Sequence, residues 1–274
     1  MLLHRFFIQD KELLPAEQYL ANSGIEIYEV VRVINGVPLF LEDHLKRFYH
    51  SAWLLHLQIP LTEAEVHSAL IQLIKSNGVG EGNIRFSYCF RPCGRFQAFY
   101  IPHFYPTTEM VISGVNCGLY QSSRNDPNVK AVQAGIRQGA DKFMAENGWY
   151  EVLLVNEDGR ISEGSRSNVF FVKDGALITA PDEEILPGIT RKKVIELAIR
   201  NGIQVKYESI KTADLSQEES VFLTGTSPKV LRVRRVGDLL FRIDHPLVQN
   251  LVDDYNDLID KYITNTIPES EIIC

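Results

Sequence analysis

Four cysteines in 274 residues, Cys89, Cys93, Cys117 and Cys274, are too few and too scattered for a disulfide framework or a zinc finger. Cys89 and Cys93 flank Phe-Arg-Pro and read as structural thiols in a strand-turn region. The seven histidines form no HExxH and no HxH, so no metal is expected. No apolar run reaches the length of a membrane span, and the apolar block in MLLHRFFIQDKELL is too short for a secretory signal. Basic residues are outnumbered 28 to 35, leaving a net charge of −7, which disfavours nucleic acid or an anionic membrane as the main partner. There is no GxxxxGK[ST] loop, and GVGEG (Gly78 to Gly82) lacks the flanking elements of a dinucleotide fingerprint. What is left, 45% apolar and 23% charged, is the composition of a globular enzyme with one large or two medium domains. The reading is cytoplasmic.

The first third has an α/β pattern. IYEVVRV (Ile27 to Val33) is a β-branched run ending at Asn35-Gly36, with Val37 to Leu41 returning, which is a hairpin signal. Asp43 is the expected cap of a helix striped by Leu45, Phe48, Ala52 and Leu55. Thr62 to Glu65 (TEAE) is a capping box, followed by the stripe Val66, Ala69, Leu70, Leu73, Ile74 and a stop at Asn77-Gly78. Strands are expected at 83–90, 97–101 and 111–119. The polar, turn-rich QSSRNDPN (Gln121 to Asn128) is the expected linker. Beyond it come a helix over 130–147, strands at 150–155, 168–172 and 176–178, a helix capped by Thr190, a strand at 220–223, and a last helix after Asp244.

Four features could carry chemistry. In LPGIT (Leu186 to Thr190) a glycine precedes a helix start, so the first amides can cradle an anion; taken alone, any capped helix has this form. TGTS (Thr224 to Ser227) opens a strand end into a hydroxyl-rich loop, although taken alone it is more often a plain turn. Lys130, between Val129 and Ala131-Val132, is placed for partial desolvation, which makes an amine nucleophilic; most lysines are simply solvated. In GRISEGSRSNVFFV (Gly159 to Val172) a lone acid, Glu163, precedes a strand, and a solvated turn residue is the ordinary explanation. A lysine, a carboxylate and two oxyanion cradles together fit pyridoxal phosphate.

At these residues the chain strongly resembles the class IV, fold-type IV aminotransferase family of branched-chain aminotransferases, D-amino-acid aminotransferases and 4-amino-4-deoxychorismate lyases. The resemblance runs from about Ile27 to Val233. It rests on five blocks in order: YEVVRVINGVPLFLEDHLKRFYHSA, Lys130 twenty residues before Tyr150-Glu151, ISEGSRSNVFFV, LPGITRKKV and FLTGTS. It implies a two-domain α/β fold, with a small N-terminal α/β domain (1–120), a linker (121–128) and a larger pseudobarrel-like cofactor domain (129–274). The family places the cofactor between the domains, usually in a homodimer. It implies that Lys130 carries the cofactor as an aldimine and shuttles the proton, and that Glu163 pairs with the pyridinium nitrogen. Arg47, Ile189, Thr190, Gly225 and Thr226 would hold the phosphate, and Tyr28 would face the substrate carboxylate. The implied activity is transfer of an amino group between an amino acid, branched-chain or D-type, and a 2-oxo acid. Elimination of pyruvate from aminodeoxychorismate is the alternative, and a non-catalytic cofactor-binding relative the second.

The match departs from the family in places. The Arg-x-His pair of the D-amino-acid branch is not found, Phe86 follows Arg85 where branched-chain enzymes have proline, and Gln133 stands in the Lys-x-x-Asn position. The carboxylate clamp is therefore expected to be Tyr28 with Arg85, or an arginine such as Arg95 of the partner subunit.

Overall fold

The computed structural model describes residues 2–92, 94–122, 127–130 and 134–266. Cys93, Cys274, Gln133 and the centre of the expected linker lie outside the described residues.

Among the described residues the chain divides into two compact units, one within Met1–Phe104, Val129–Val132 and Ile259–Cys274, the other within Tyr105–Asn128 and Gln133–Leu258. The first contains β1 (Phe6–Gln9), β2 (Glu12–Pro15), β3 (Gly24–Ile34), β4 (Val37–Pro38), α1 (Leu41–Leu54), α2 (Glu63–Asn77), β5 (Gly82–Pro92) and β6 (Arg95–Ile101). The strands form one antiparallel sheet in the order β2-β1-β6-β5-β3-β4. The period-2 pattern of β3 turns Ile27, Val31 and Val33 to one face. There they join Leu45, Phe48 and Ala52 of α1 and Val66, Leu70 and Leu73 of α2 in a single core, as the two stripes require.

Helix α2 starts and stops as its sequence dictates. Thr62 Oγ1 accepts from the Glu65 amide, the Glu65 carboxylate accepts from the Thr62 amide, and Gly78 closes the helix at φ 63°. Helix α1 does not start as expected. It begins at Leu41 with Phe40 in a left-handed conformation at its N-cap, and Asp43 lies buried in the first turn instead of capping it.

The second unit contains α3 (Thr108–Ser113), β7 (Val115–Gln121), α4 (Ala134–Asn147), β8 (Glu151–Val155), β9 (Ile161–Gly164), β10 (Asn168–Lys173), β11 (Ala176–Thr179), α5 (Ile189–Arg200), β12 (Val205–Tyr207), β13 (Ser220–Gly225), β14 (Lys229–Val236), β15 (Leu239–Leu240) and α6 (Pro246–Thr266). Its nine-stranded sheet runs β12-β11-β10-β13-β14-β7-β8-β9, with β15 on β14. The strand expected over 111–119 splits in two: the Thr107 hydroxyl caps the short α3, Gly114 ends it at φ 70°, and β7 starts only at Val115.

The observed division falls at Phe104, earlier than the expected 121–128. Strand β7 pairs with β14 and β8, which commits residues 115–121 to the second sheet. Lys130 belongs with the first unit, where its carbonyl accepts from the Tyr28 amide, and so does the end of α6, where Tyr262 donates to Glu42.

Candidate active site

In the first unit, Lys130 is fixed by its backbone. Its carbonyl accepts from the Tyr28 amide at 3.1 Å, and its amide donates to Ser51 Oγ of α1 at 3.3 Å. Val129 is buried beside it, so the half-buried lysine is anchored at its base. Its Nζ lies 5.3 Å from the centroid of the Tyr28 ring, and the Arg85 guanidinium lies 4.6 Å from the same centroid. Arg85 comes to Tyr28 because β3 and β5 pair Val30 with Arg85 and Tyr28 with Ser87, which puts these side chains on the face opposite the core. Glu26, on the same face, accepts from Arg85 Nη2 at 2.9 Å.

Arg47 reaches inward to β3. Its Nε and Nη2 donate to the two oxygens of Glu29 at 2.7 and 2.8 Å, and His44 Nδ1 meets Glu29 Oε2 at 2.8 Å. Glu29 stands in the inward row of β3 with no exposure at all. Burial alone would raise its pKa, but the charge and hydrogen bonds of Arg47, with a further contribution from His44, hold it far below the usual carboxylate range. His44 is pushed down by burial, against the pull of Glu29, and the charges of Arg47 and Lys130 push it further. Since a carboxylate only accepts, the neutral ring carries its proton on Nδ1. Arg95 is placed elsewhere: it donates to Asn22 Oδ1 and to the carbonyls of Leu20 and Ala21.

In the second unit, Glu163 is not in an exposed turn. It belongs to β9 and is 2% exposed. Its Oε2 accepts from Asn168 Nδ2 at 3.2 Å and from the Leu186 amide at 3.3 Å. Asn168 also donates to the Leu186 carbonyl at 2.9 Å, so one amide group ties β10, the acid and the LPG turn together. Gly188 follows: a Cβ there would stand 2.1 Å from Asn168 Oδ1, so the turn can come this close only as glycine.

The loop after Glu163 is organised by Glu151 of β8. This buried carboxylate accepts from the amides of Ser165 (3.2 Å) and Arg166 (3.2 Å) and from the hydroxyls of Ser165 (2.6 Å) and Ser167 (2.9 Å). Helix α5 opens at Gly188 with no side-chain cap, which leaves the amides of Ile189 and Thr190 at an uncapped, positive helix end. Thr190 is thus inside the first turn and not the cap, and its Oγ1 receives the Tyr255 hydroxyl at 3.3 Å. Gly225 ends β13 and Thr226 follows it, and a Cβ on Gly225 would lie 3.7 Å from the Arg166 carbonyl, so the two loops are neighbours.

The structure gathers Tyr28, Arg47, Arg85 and Lys130 in the first unit, and Glu163, Ile189, Thr190, Gly225 and Thr226 in the second. Sequence reasoning left Glu29, His44, Glu151 and Asn168 without roles, and gave Thr224 no contact of its own within the TGTS loop. Glu29 could have been found, because it interrupts the alternating apolar row Ile27, Val31, Val33. An uncapped α5 is what an anion cradle at LPGIT needs. The Thr224 hydroxyl is buried with no hydrogen-bond partner among the described residues. Both features fit an oxygen-rich anion, and the buried Glu163 fits a cationic nitrogen.

Residues 26–236 match the family model described as amino-transferase class IV. The chain is 28% identical over 231 residues to the D-alanine aminotransferase of Bacillus licheniformis, covering 78% of this chain and 79% of that one. It is 27% identical over 260 residues to a probable branched-chain-amino-acid aminotransferase of Rickettsia bellii, covering 88% of each. Its fold superposes on a branched-chain aminotransferase of Thermoproteus uzoniensis with norvaline at TM-score 0.82 and 23% identity, over 95% of this chain and 98% of that one. With the family model spanning most of its length, and the fold in agreement, the chain belongs to the class IV aminotransferases.

Proposed function

We propose that this aminotransferase uses pyridoxal phosphate and moves the amino group of a branched-chain or D-amino acid to a 2-oxo acid, working as a cytoplasmic homodimer. The observation that carries the cofactor reading is Glu163: a carboxylate almost wholly withdrawn from water, held by the Asn168 amide and the Leu186 N–H. Such a site suits a protonated ring nitrogen, whose charge the carboxylate stabilises. The substrate classes come from the activities named for the relatives.

Pyridoxal phosphate, when bound, supplies an electron sink that weakens the bonds at the substrate Cα. The rest falls to the chain. Lys130 would hold the cofactor through its amine, which can condense with the aldehyde with loss of water, and would then serve as the base for the proton at Cα. Glu163 keeps the ring nitrogen protonated. In the second unit the amides of Ile189 and Thr190, with Gly225 and Thr226, would hold the phosphate. Arg47 is assigned to the phosphate by the resemblance; its Nε and Nη2 hold Glu29. Tyr28 and Arg85, in contact on one face of β3 and β5, would bind the substrate carboxylate, with Glu26 steadying Arg85; Arg95 of the partner subunit is the second candidate.

The test is the visible spectrum of the purified protein with pyridoxal phosphate, followed by single D- and L-amino acids without an acceptor. A band that shifts to the amino form of the cofactor supports transfer, and the responding amino acid gives class and hand. A band unmoved by every amino acid, with pyruvate released from 4-amino-4-deoxychorismate, replaces transfer by elimination. Lys130→Ala should lose at least 1,000-fold in turnover, on the scale of a proton-transfer group that also anchors the cofactor, while still taking up cofactor weakly. Full activity in that variant would remove the assignment.

A further inference from the structure

Thr224 is 1% exposed, and its hydroxyl has no hydrogen-bond partner among the described residues. A buried hydroxyl left unmatched is unfavourable, and such groups in folded proteins are usually answered by something. Its direction follows from the register. Thr224 lies opposite Asn168 of β10 and opposite Val230 of β14. Residues directly opposed in a sheet share a face. The other face carries Val169, Phe171, Val221, Leu223, Leu231 and Val233, all in one apolar core. The Thr224 side chain therefore points away from that core, to the face where Asn168 holds Glu163 and the Leu186 carbonyl and packs against Gly188 at the start of α5.

Two anion-binding features border this position. One is the uncapped end of α5, and the other is the Gly225-Thr226 turn directly after Thr224 in the chain. We infer that Thr224 is a further phosphate-binding residue, its hydroxyl donating to a phosphate oxygen of the cofactor. A phosphate oxygen accepts and a threonine hydroxyl can donate, so the pairing satisfies both groups in a buried setting. The inference rests on the pyridoxal phosphate reading above and adds a contact that the sequence blocks do not assign.

The experiment uses the full-length apo-protein in three forms: wild type, Thr224→Val and Thr224→Ser. Each is titrated by absorbance with pyridoxal phosphate and with pyridoxal, and its melting temperature is read with and without inorganic phosphate. If wild type takes up no pyridoxal phosphate, the cofactor reading itself fails, and this inference with it. If wild type binds, Thr224→Val should bind pyridoxal phosphate about 10-fold more weakly, the scale of one hydrogen bond to a charged group. Thr224→Ser should stay within about 2-fold of wild type, since it keeps the donor. Pyridoxal, which lacks the phosphate, should bind all three alike, and phosphate should raise the melting temperature of Thr224→Val less than that of wild type. Without ligand, Thr224→Val should melt no lower than wild type, because an apolar group of the same shape replaces an unmatched polar one.

Three outcomes would overturn the inference while leaving the cofactor in place. Equal affinity of wild type and Thr224→Val for pyridoxal phosphate would show that the hydroxyl is answered by something other than the cofactor, such as a buried water. An equal loss for pyridoxal would place it at the ring. A lower melting point of the valine apo-protein would mean that the hydroxyl already has a protein partner.

Discussion

Carboxylates taken out of water must be answered by donors, and Glu29 and Glu151 are answered in different currencies. Glu29 is matched by charge, from Arg47, with His44 adding a neutral N–H. Glu151 is matched by two backbone amides and two hydroxyls of the 165–167 loop, together with the amide of Val152 at 2.9 Å. The loop between Glu163 and β10 is therefore held by a side chain from β8, earlier in sequence. Removing it strands several buried donors at once. Glu151→Ala is expected to cost roughly 3 kcal/mol, since each unmatched buried group costs about 1–3 kcal/mol and the loop can rehydrate part of the loss. Urea unfolding of the variant measures this; a cost under about 0.5 kcal/mol, the range of a neutral surface change, would mean that the loop keeps its shape without the acid.

At the scale of elements, the chain obeys its local signals where the signal is a side chain meeting the backbone of its own element. The Thr62–Glu65 box is such a case, and Thr62→Ala should cost about 1 kcal/mol, a drop of roughly 2–4 °C in melting temperature. An unchanged melting temperature would show that tertiary packing alone sets the start of α2. The same logic explains what was legible in the sequence. The stripes of α1 and α2, the hairpin after β3 and strands β8, β10 and β13 all follow periods of 3.6 or 2. Where the reading failed, distant partners decide. Glu163 looks like a turn residue because its strand mates, Leu153 opposite Gly164 and Val155 opposite Ile161, are supplied by β8. Strand β14 was missed because KVLRVRRV carries four basic residues; Arg232 is nevertheless buried, donating to the Val111 carbonyl and to Gln249. Asp43 and Thr190 look like caps by composition, yet the caps are Phe40 and Gly188, three and two residues earlier. The site was legible as five blocks, but the residues that position its groups were not, because Asn168, Glu151 and Glu29 act across pairings that no single block contains.

For the molecule as a whole, the two compact units are discontinuous in sequence, and residues 129–130 return to the first unit to put Lys130 beside Tyr28. That return also places a lysine charge on His44, which faces Glu29 and Arg47 as well. Its consequence is a pH dependence of folding with a definite sign. Burial, the largest cause, holds folded His44 below its ordinary value of 6.5. As pH falls below 6.5 the unfolded chain binds that proton first, so stability drops with acid on this limb. Glu29 adds to the drop at lower pH: its folded pKa lies below its ordinary value of 4.5, so its stabilising pairing is intact above that pH and is lost progressively as pH falls further. Both groups push the same way, and stability should be higher at pH 7.5 than at 5.5 and lower again at 4. Urea unfolding at these three values tests it, with His44→Asn as the control. The asparagine keeps an N–H donor for Glu29 but cannot titrate, so its loss between pH 7.5 and 5.5 should be smaller than that of wild type, while the loss between 5.5 and 4 should remain. If His44→Asn falls as steeply as wild type through the upper interval, groups other than His44 carry the titration there.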